Sequence, residues 1–547
     1  MASIQGKILG QPLGLLLFLT LPVLYFLLLG FHGFADTDQG FVPGLAHRIL
    51  QGERMYRDFN YVRPPLTPYL HAAVMWLLPH SLFMVGSRAL FYLTIWAYTG
   101  LAVLTLDKQF DLDRLGIPKW LLACLGFVFS VHNYPAMPWH TTDGLFFSIL
   151  GIYLITTRDG MLTTILGLVS LYLSALTKQP FGLMPLLGAA LVVYLRPQRR
   201  TWVAVGIAGL LCGVATLGLV KLFPEMLRQI SGSSKLSDLV TTGFRMYLKP
   251  LLLVLLPVLV GVWGLKRLAP ENLFREVTGW ICLLLPSAWL LGQYYIVEQA
   301  GDYTTPIFWF YHLLLLFGVC WCIMNYLRER RKELLVFLLL CVPCWLSGIS
   351  WGYTVPALFA LPGLFALIYV LTHELKFIGT LHVRSLKRLL APVLVLFSTI
   401  LFIAISRHPY RDKPRPELTF SAGEVFPGMS HIRTSHFGYH KLVEFKSHYH
   451  AFGDPYVVLP AMPLAHFLTQ SSSPIGVDWA YDIEIGSKDV DRFIDKFSES
   501  APTVFVEKAR MEESAASSLL GHVLTHWTAV DTGEYFVVYR QPTETQP

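Results

Sequence analysis

The sequence predicts a polytopic α-helical membrane protein, and three observations support that fold class. Hydrophobic residues make up 54% of the 547 residues and charged residues only 14%, which is more apolar than an ordinary soluble domain. Many apolar runs approach the roughly 20 residues that a helix needs to cross the hydrocarbon core. Lysines and arginines cluster in short segments between those runs, as expected for loops on the cytoplasmic side of a membrane.

The apolar runs predict about thirteen membrane spans. Their approximate bounds are 8–31, 86–106, 118–133, 143–157, 161–178, 180–196, 201–223, 249–265, 278–296, 306–327, 334–350, 354–372 and 388–406. With a cytoplasmic amino terminus, the inner loops are all basic, at 108–119, 158, 196–200, 266–275, 328–332 and 376–388. The opposite orientation would place these clusters outside, against the positive-inside rule.

The chain is predicted to have two parts. Residues 1–407 form the membrane part, whose first outer loop covers about 32–86, and residues 408–547 form an α/β domain outside the cytoplasm. In this tail, 456–459, 503–506 and 535–539 have the pattern of strands, and 488–498 and 511–520 that of helices. All seven cysteines lie in apolar segments, so no disulfide framework is expected. The net charge of +7 reflects the inner loops, and we therefore expect no nucleic acid partner.

The first outer loop concentrates charge at the membrane rim. Asp36 and Asp38 directly follow the first span, and four arginines lie on the side where basic residues are normally sparse. These arginines are Arg48, Arg54, Arg57 and Arg63. Guanidinium groups bind phosphate well, so the loop indicates a phosphate or pyrophosphate ligand. The alternative is that the arginines reach the interface or pair with Glu53 and Asp58.

The motifs of this loop resemble those of a known enzyme superfamily. They are Asp38-Gln39-Gly40, then Leu45-Ala46-His47-Arg48-Ile49-Leu50-Gln51-Gly52, then Tyr56-Arg57-Asp58-Phe59, and Arg63-Pro64-Pro65-Leu66. Together they resemble the first outer loop of GT-C glycosyltransferases, which use polyprenyl-phosphate sugars. Within this superfamily, the loop motifs most resemble those of the branch that contains protein O-mannosyltransferases and the aminoarabinose transferase of lipid A. The resemblance covers the whole chain in layout and about thirty residues in motif.

The resemblance implies a GT-C fold and a role for the acid after the first helix as catalytic base. Its spacing to Gly52 matches Asp38, with Asp36 as the second choice. A carboxylate would take the proton of an acceptor hydroxyl as the sugar–phosphate bond breaks, with inversion at the anomeric carbon. Asp36-Thr37-Asp38 also has a metal-binding D-x-D form. No metal is assigned, and Mg²⁺ or Mn²⁺ is left open.

Two positions depart from the family pattern. Gln39 stands where relatives usually carry Glu, and Arg63 stands where they carry Lys or Gln before the Pro-Pro pair. Arg63 keeps a cation that could hold the lipid phosphate, with a salt bridge to Asp58 as the competing interpretation. Arg57 is a second phosphate candidate, and Asp58 a substrate-binding candidate.

Other predicted outer loops supply four further candidates. Asp143 resembles the second acid of the family, although it could equally be an acid at a helix amino terminus. His140 is a candidate for substrate binding, with a structural hydrogen-bonding role as the alternative. Lys178 lies at an apolar boundary and is a candidate for the donor phosphate, unless it extends to the interface. Tyr353 is a candidate aromatic contact to the carrier.

The sequence therefore predicts a membrane glycosyltransferase that moves a sugar from a polyprenyl-phosphate carrier to an acceptor hydroxyl on the outer side. The acceptor is a glycan, lipid or protein. The absence of an N-x-S/T sequence in the outer segments favours a bacterial inner membrane. A transporter or flippase of lipid-linked sugars is the main alternative, but no internal symmetry is evident. A non-catalytic assembly subunit is the third.

Overall fold

The protein is described by a computed structural model. It describes residues 2–132, 135–233, 236–250, 304–350, 353–354, 359–373, 411–486 and 489–542, with scattered positions between 252 and 260 and between 392 and 409. The predicted span 278–296 lies outside the described residues, and the spans 249–265 and 388–406 lie largely outside them. The number of about thirteen spans therefore remains a prediction.

In its described residues, the membrane part is mainly helical. In chain order they are α1 Ala2–Leu29, α2 Asp38–Leu50, α3 Leu66–Leu77, α4 His80–Phe110, α5 Lys119–Val131, α6 His140–Thr157, α7 Met161–Ala175, α8 Met184–Leu195, α9 Arg199–Leu222, α10 Met226–Ser233, α11 Leu236–Pro250, α12 Thr304–Glu329, α13 Lys332–Ser347 and α14 Leu361–Thr372. Among the described helices, four are long and apolar enough to cross a membrane: Pro12–Leu29, His80–Phe110, Arg199–Leu222 and Tyr311–Glu329.

Exposed leucines identify the helix faces that require an apolar environment. Leu13 and Leu27 on α1 are each 58% exposed, and Leu210 and Leu217 on α9 are 69% and 71% exposed. Such surfaces are unfavourable in water and are expected next to lipid chains. The opposite sides pack into a shared core in which α4 contacts α1, α5 and α6. This core fixes the outer ends of the helices, where the charged loop begins.

Several helix boundaries differ from the predicted spans. The span predicted at 161–178 ends at Ala175, and a 3-10 turn at Gln179–Leu183 precedes α8. Pro180 lacks the backbone N–H that a continuous α-helix would need, which explains the interruption. As a result Lys178 lies in a turn between two helices.

The first outer loop contains the two short helices α2 and α3, which pack against each other. Most of α2 is enclosed, since every residue from Asp38 to Arg48 is buried. A Cβ at Gly44 would collide with the carbonyl of Pro463, and one at Gly40 would come within 2.8 Å of Leu464. The two glycines therefore allow the segment after residue 411 to lie directly on α2.

The segment 411–542, which we call the outer segment, contains helices and a four-stranded sheet. The helices are α15 His436–Phe452, α16 Ala465–Thr469, α17 Asp482–Ile485, α18 Val490–Ser500 and α19 Ser518–His526. Short pairs of strands occur at β1 Ile349–Ser350 with β2 Tyr353–Thr354, and at β3 Phe420–Ser421 with β4 Arg433–Thr434. The sheet consists of β5 Tyr456–Leu459, β6 Thr503–Glu507, β7 Thr528–Thr532 and β8 Phe536–Arg540, in the order β5-β6-β8-β7.

The two faces of this sheet pack against different partners because alternate side chains of a strand point to opposite sides. Tyr456, Val458 and Phe505 share a core with α15 and with Phe34 and Ala46 of the first outer loop. The other face, which includes Val457 and Val504, is covered by α18 and α19. The sheet thus joins the outer segment to the loop that carries Asp36 and Asp38.

Candidate active site

Asp36 lies in a buried ion network with residues of the outer segment. Its Oδ2 is 2.5 Å from Lys441 Nζ, which also donates to Glu507 Oε1. Burial alone would raise the pKa of Asp36, but the charge of Lys441 outweighs burial and lowers the pKa. The side chains of Asp36 and Lys441 are only 14% and 8% exposed. This network holds Asp36 ionised and fixes its position.

Asp38 contacts a different cation, which is more exposed than Lys441. Its Oδ2 is 3.0 Å from a guanidinium nitrogen of Arg411, which also donates to Thr37 Oγ1 at 2.9 Å. The Asp38 side chain is 10% exposed, whereas that of Arg411 is 50% exposed. Asp38 occupies the first position of α2, where a helix favours negative charge. The acid that the sequence motif singles out thus lies beside a solvent-accessible cation.

Asp143 is the second acid, and it lies at the start of α6. Its Oδ2 accepts a hydrogen bond from Thr67 at 2.8 Å and is 3.3 Å from His71 Nε2. Both partners belong to α3, so Asp143 connects the first outer loop to the membrane helices. Its place in the first turn also fits the alternative of a helix amino-terminal acid.

Two cations near the loop are buried, Arg63 of the loop itself and Lys178. Arg63 binds both oxygens of Glu484 at 2.6 Å, and its guanidinium is 4.9 Å from the centre of the Phe41 ring. Lys178 donates to the carbonyl of Ile349 at 2.7 Å and to Thr141 Oγ1 at 3.3 Å. Burial, with a smaller contribution from Arg63, lowers the pKa of Lys178 to about 7.

Arg63, Lys178, His140 and Asp143 share one electrostatic environment, and we call them the buried cluster. Burial, followed by the charges of Arg63 and Lys178, lowers the pKa of His140 well below its usual value, so the ring is neutral at pH 7. The centre of its ring lies 4.4 Å from that of Trp139, with the two rings tilted by 34°. Burial also raises the pKa of the neighbouring Tyr61; the charge of Arg63 opposes this shift, and the charges of Glu484 and Asp143 add to it.

Phe41 links Asp38 to the buried cluster. The two residues are three positions apart on α2, which makes them neighbours on the helix surface, roughly 5 to 6 Å apart between Cβ atoms. The Phe41 ring in turn lies under the Arg63 guanidinium. A small pocket of about 20 Å³, room for about one water molecule, opens beside Phe41 and is also lined by Arg48, Tyr61, Trp479 and Glu484. Asp38 and the Arg63 guanidinium therefore both lie next to Phe41.

Two other arginines of the loop pair with acids. Arg57 is 2.8 Å from Asp58 and its side chain is 64% exposed. Arg48 is buried and pairs with Glu53 at 2.9 Å and with Asp478 at 2.7 Å. The described contacts of Arg57 and Asp58 therefore match the alternative of mutual pairing, and their substrate roles remain predictions. The salt bridge considered between Arg63 and Asp58 is replaced by the one with Glu484.

Tyr353 begins the short strand β2, opposite Ser350 of β1. Its side chain lies outside the described part of the structure, so its expected contact with the carrier remains a prediction.

Five contact residues were missed at the level of the sequence. Lys441, Arg411 and Glu484 come from the outer segment, and Thr67 and His71 come from α3. The first three lie far along the chain from their partners in the loop, and no short motif marks them. A possible signal existed only for α3, because His71 follows Thr67 by four residues, which places both on one helix face.

The D-x-D segment can be tested as a metal site by its surroundings. Each of its two acids has a cation within 3.0 Å, so a divalent ion would have to displace Lys441 or Arg411. Within the described ranges, no group of three or more His, Cys, Asp or Glu side chains is arranged to hold a metal ion. The described geometry does not fit a divalent ion at these two acids.

The fold and the site define a class: a helical membrane protein with acids and cations gathered where an outer loop meets a sheet-containing segment. No known protein family matches the chain, and no curated protein matches it. The chain is similar to the crystal structure of ArnT from Cupriavidus metallidurans bound to undecaprenyl phosphate, with 11% identity and a TM-score of 0.43 over 97% of this chain and 98% of that chain.

Two structures from Archaeoglobus fulgidus are also similar. One is an oligosaccharyltransferase in complex with Zn and sulfate, with 10% identity and a TM-score of 0.42 over 92% of this chain and 69% of that chain. The other is the oligosaccharyltransferase AglB with an inhibitory peptide and a dolichol-phosphate, with 12% identity and a TM-score of 0.44 over 93% and 71%. At these identities and TM-scores the likeness assigns no substrate and no residue role.

Proposed function

We propose that the chain is a membrane glycosyltransferase that moves a sugar from a polyprenyl-phosphate carrier to an acceptor hydroxyl on the outer side of the membrane. One observation carries the proposal. Asp38 begins a loop helix about one turn from Phe41, whose ring supports the buried Arg63 guanidinium next to a small pocket. A candidate base and a candidate phosphate-binding cation thus both lie next to one aromatic ring.

The reaction that suits this arrangement is a single displacement. Asp38 takes the proton of the acceptor hydroxyl, and the acceptor oxygen forms a bond to the anomeric carbon. The bond between that carbon and the phosphate oxygen breaks, and the polyprenyl phosphate leaves with the electron pair. One displacement inverts the anomeric configuration. Because phosphate is a good leaving group, a second carboxylate is not required as an acid.

The cations of the buried cluster suit the phosphate of the donor. Arg63 and Lys178 lie in a low-dielectric environment, where attraction to an anion is stronger than in water. Arg63 already holds a carboxylate with two parallel bonds, the geometry in which a guanidinium also binds phosphate. The donor phosphate would compete with Glu484 for this group.

We further propose the orientation expected from the basic inner loops, with a cytoplasmic amino terminus and with the active site and residues 408–547 outside. A bacterial inner membrane remains the proposed location. The donor class is a polyprenyl-phosphate sugar, and the acceptor is a glycan, a lipid or a protein. No metal is required in this scheme, since Arg63 and Lys178 supply positive charge at the leaving phosphate.

A panel of donors tests the proposal. The purified protein is incubated with undecaprenyl-phosphate and dolichol-phosphate sugars, with and without acceptor mixtures, and the released lipid phosphate is measured. We expect release with at least one donor, and formation of a glycosylated product. Movement of intact lipid-linked sugars across proteoliposomes, without release of lipid phosphate from any donor, would contradict an enzyme and support a transporter.

A further inference from the structure

The strongest unassigned feature lies where the outer segment begins. Arg411 places one guanidinium nitrogen 3.0 Å from Asp38 and 2.9 Å from the hydroxyl of Thr37. It therefore contacts the acid that we propose as catalytic base. None of the sequence motifs includes Arg411, and its contact with Asp38 spans more than 370 positions of the chain.

The backbone beneath Arg411 is fixed by its neighbour. Asp412 Oδ2 accepts hydrogen bonds from the Phe34 backbone N–H at 3.0 Å and from Thr434 Oγ1 at 2.7 Å. These bonds connect the start of the outer segment to the loop before Asp38. Arg411 itself has a positive φ of 53°, a conformation that a non-glycine residue adopts only when its surroundings hold it there. The position of Arg411 next to Asp38 is thus built into the fold.

The side chain of Arg411, the cation beside Asp38, is less enclosed than that of Lys441, the cation beside Asp36. Lys441 is 8% exposed and is held by both Asp36 and Glu507, so its displacement would leave two buried carboxylates without it. Arg411 is 50% exposed, so an anion arriving from solvent can reach its guanidinium without entering the core. Of these two cations, Arg411 is the one that an arriving anion can take.

We propose that Arg411 is a ligand of the donor phosphate and restrains Asp38 until the donor binds. This inference rests on the proposed function. The phosphate of the carrier takes the guanidinium, which favours a planar pair of bonds to phosphate oxygens. The Asp38 carboxylate then exchanges the guanidinium for a hydrogen bond from the acceptor hydroxyl. Donor binding thus precedes proton removal, so the base meets the acceptor only when the leaving phosphate is in place.

The test compares carrier binding and turnover in three variants. Arg411→Gln removes the charge, Arg411→Lys keeps a charge without the planar fork, and Arg492→Gln is the control. Arg492 is also an exposed arginine of the outer segment, 60% exposed, with a contact of 3.9 Å to Asp489. The probes are undecaprenyl phosphate for direct binding and the active donor of the panel for kinetics. Thermal unfolding checks that each variant is folded.

We expect Arg411→Gln to weaken binding of undecaprenyl phosphate and to raise the donor KM by about tenfold or more, as for loss of a charge-assisted contact. The acceptor KM should stay the same, and kcat at saturating donor should stay within about threefold of the unmodified protein. The carrier affinity and donor KM of Arg411→Lys should lie between those of Arg411→Gln and the unmodified protein. Arg492→Gln should match the unmodified protein in both quantities.

Two results would overturn the inference. Unchanged carrier affinity in a folded Arg411→Gln protein, with a fall in kcat alone, would show that Arg411 only positions Asp38. If Arg411→Gln does not fold, equal carrier binding by Arg411→Lys and the unmodified protein would reject a planar phosphate contact. If the unmodified protein transfers sugar, either of these results rejects the role of Arg411 and leaves the proposed function intact. If the unmodified protein neither transfers sugar nor binds the carrier, both the role of Arg411 and the proposed function are rejected.

Discussion

Asp36 and Asp38 are two residues apart, and each contacts one cation from the outer segment. Their surroundings differ in a way that separates their roles. Asp36 belongs to an enclosed network with Lys441 and Glu507, which suits a structural anchor. Asp38 lies beside the exposed Arg411 and one turn from Phe41. The geometry therefore favours Asp38 over Asp36 as the proposed base, although the sequence could not distinguish them beyond motif spacing.

Lys178 should give carrier binding a dependence on pH. Burial disfavours its charged form and lowers the pKa to about 7, so the amine is mostly charged near pH 6 and mostly neutral near pH 8. Affinity for undecaprenyl phosphate should therefore fall across this range, by no more than about tenfold per pH unit for a single proton. Equilibrium binding at pH 6, 7 and 8 measures the change.

The variant Lys178→Arg provides the matched control, because its guanidinium stays charged at all three pH values. The carrier phosphate titrates in the same range for both proteins, and its contribution cancels in the comparison. We expect Lys178→Arg to bind with a flatter pH profile than the unmodified protein. Parallel profiles would remove Lys178 from the proposed phosphate site.

At the scale of single residues, the sequence predicted the candidate site residues but not the residues that contact them. Asp38, Asp143 and Lys178 were marked by local patterns of acids or a lysine next to apolar helices. Arg411, Lys441 and Glu484 were not marked, since they reach the loop only after the outer segment has folded back on α2. Short-range patterns contain no information about such contacts.

At the scale of elements, arginine–carboxylate pairs join the membrane part to the segment 478–489. Arg48 pairs with Asp478, Arg63 with Glu484, and Arg228 with Asp489 at 2.7 Å. Only the third is substantially exposed, since Arg228 is 44% exposed. The first two lie along the cavity beside α2. They fix how the outer segment covers the loop.

Breaking one of the two buried pairs, Arg63–Glu484, should destabilise the junction. Glu484→Gln leaves the Arg63 charge enclosed without its carboxylate, a change that typically costs about 3 to 5 kcal/mol. We expect a lower thermal unfolding temperature in detergent and faster proteolysis of the outer segment. Glu499→Gln, an exposed glutamate of α18, should leave both unchanged.

A double variant separates lost pairing from lost packing. Arg63→Met combined with Glu484→Leu removes both charges and keeps apolar volume, so it should recover much of the stability lost in Glu484→Gln. If the double variant is less stable than the single one, the pair does not act through an unpaired buried charge.

The sequence predicted elements best where they are buried. The strands β5 and β6 match the stretches 456–459 and 503–506, and every residue of both is buried. Strand β7 was missed because all five of its residues are exposed and show no alternation. The helix expected at 511–520 is instead a 3-10 turn at Lys508–Ala515 followed by α19. The Ser517 hydroxyl accepts from the Leu520 N–H and starts α19 there.

At the scale of the whole molecule, topology follows from the distribution of basic residues. The described helices and their lipid-facing leucines fit a multi-pass membrane protein. The orientation depends on the positive-inside rule. The count of spans could not be tested from the described ranges, because the spans predicted at 249–265, 278–296 and 388–406 lie wholly or largely outside them.

Single cysteines should report the orientation directly. Asp113 lies in a predicted inner loop and Asp495 on α18 of the outer segment, and both are exposed. In intact cells or spheroplasts, a thiol reagent that cannot cross the membrane should label Asp495→Cys at once and Asp113→Cys only after permeabilisation. The six described native cysteines are buried or half-buried, so background labelling should be low. The reverse pattern would place the proposed site on the cytoplasmic side.

The most direct test of the central claim is turnover by Asp38→Asn. This change keeps the shape of the side chain and removes its ability to accept a proton, so transfer should fall by at least about 100-fold. Carrier binding and the thermal unfolding temperature should stay close to those of the unmodified protein. Asp495→Asn, at an exposed position of α18, controls for the loss of one outer acid. Transfer by folded Asp38→Asn at the rate of this control would contradict the assignment of Asp38 as the base.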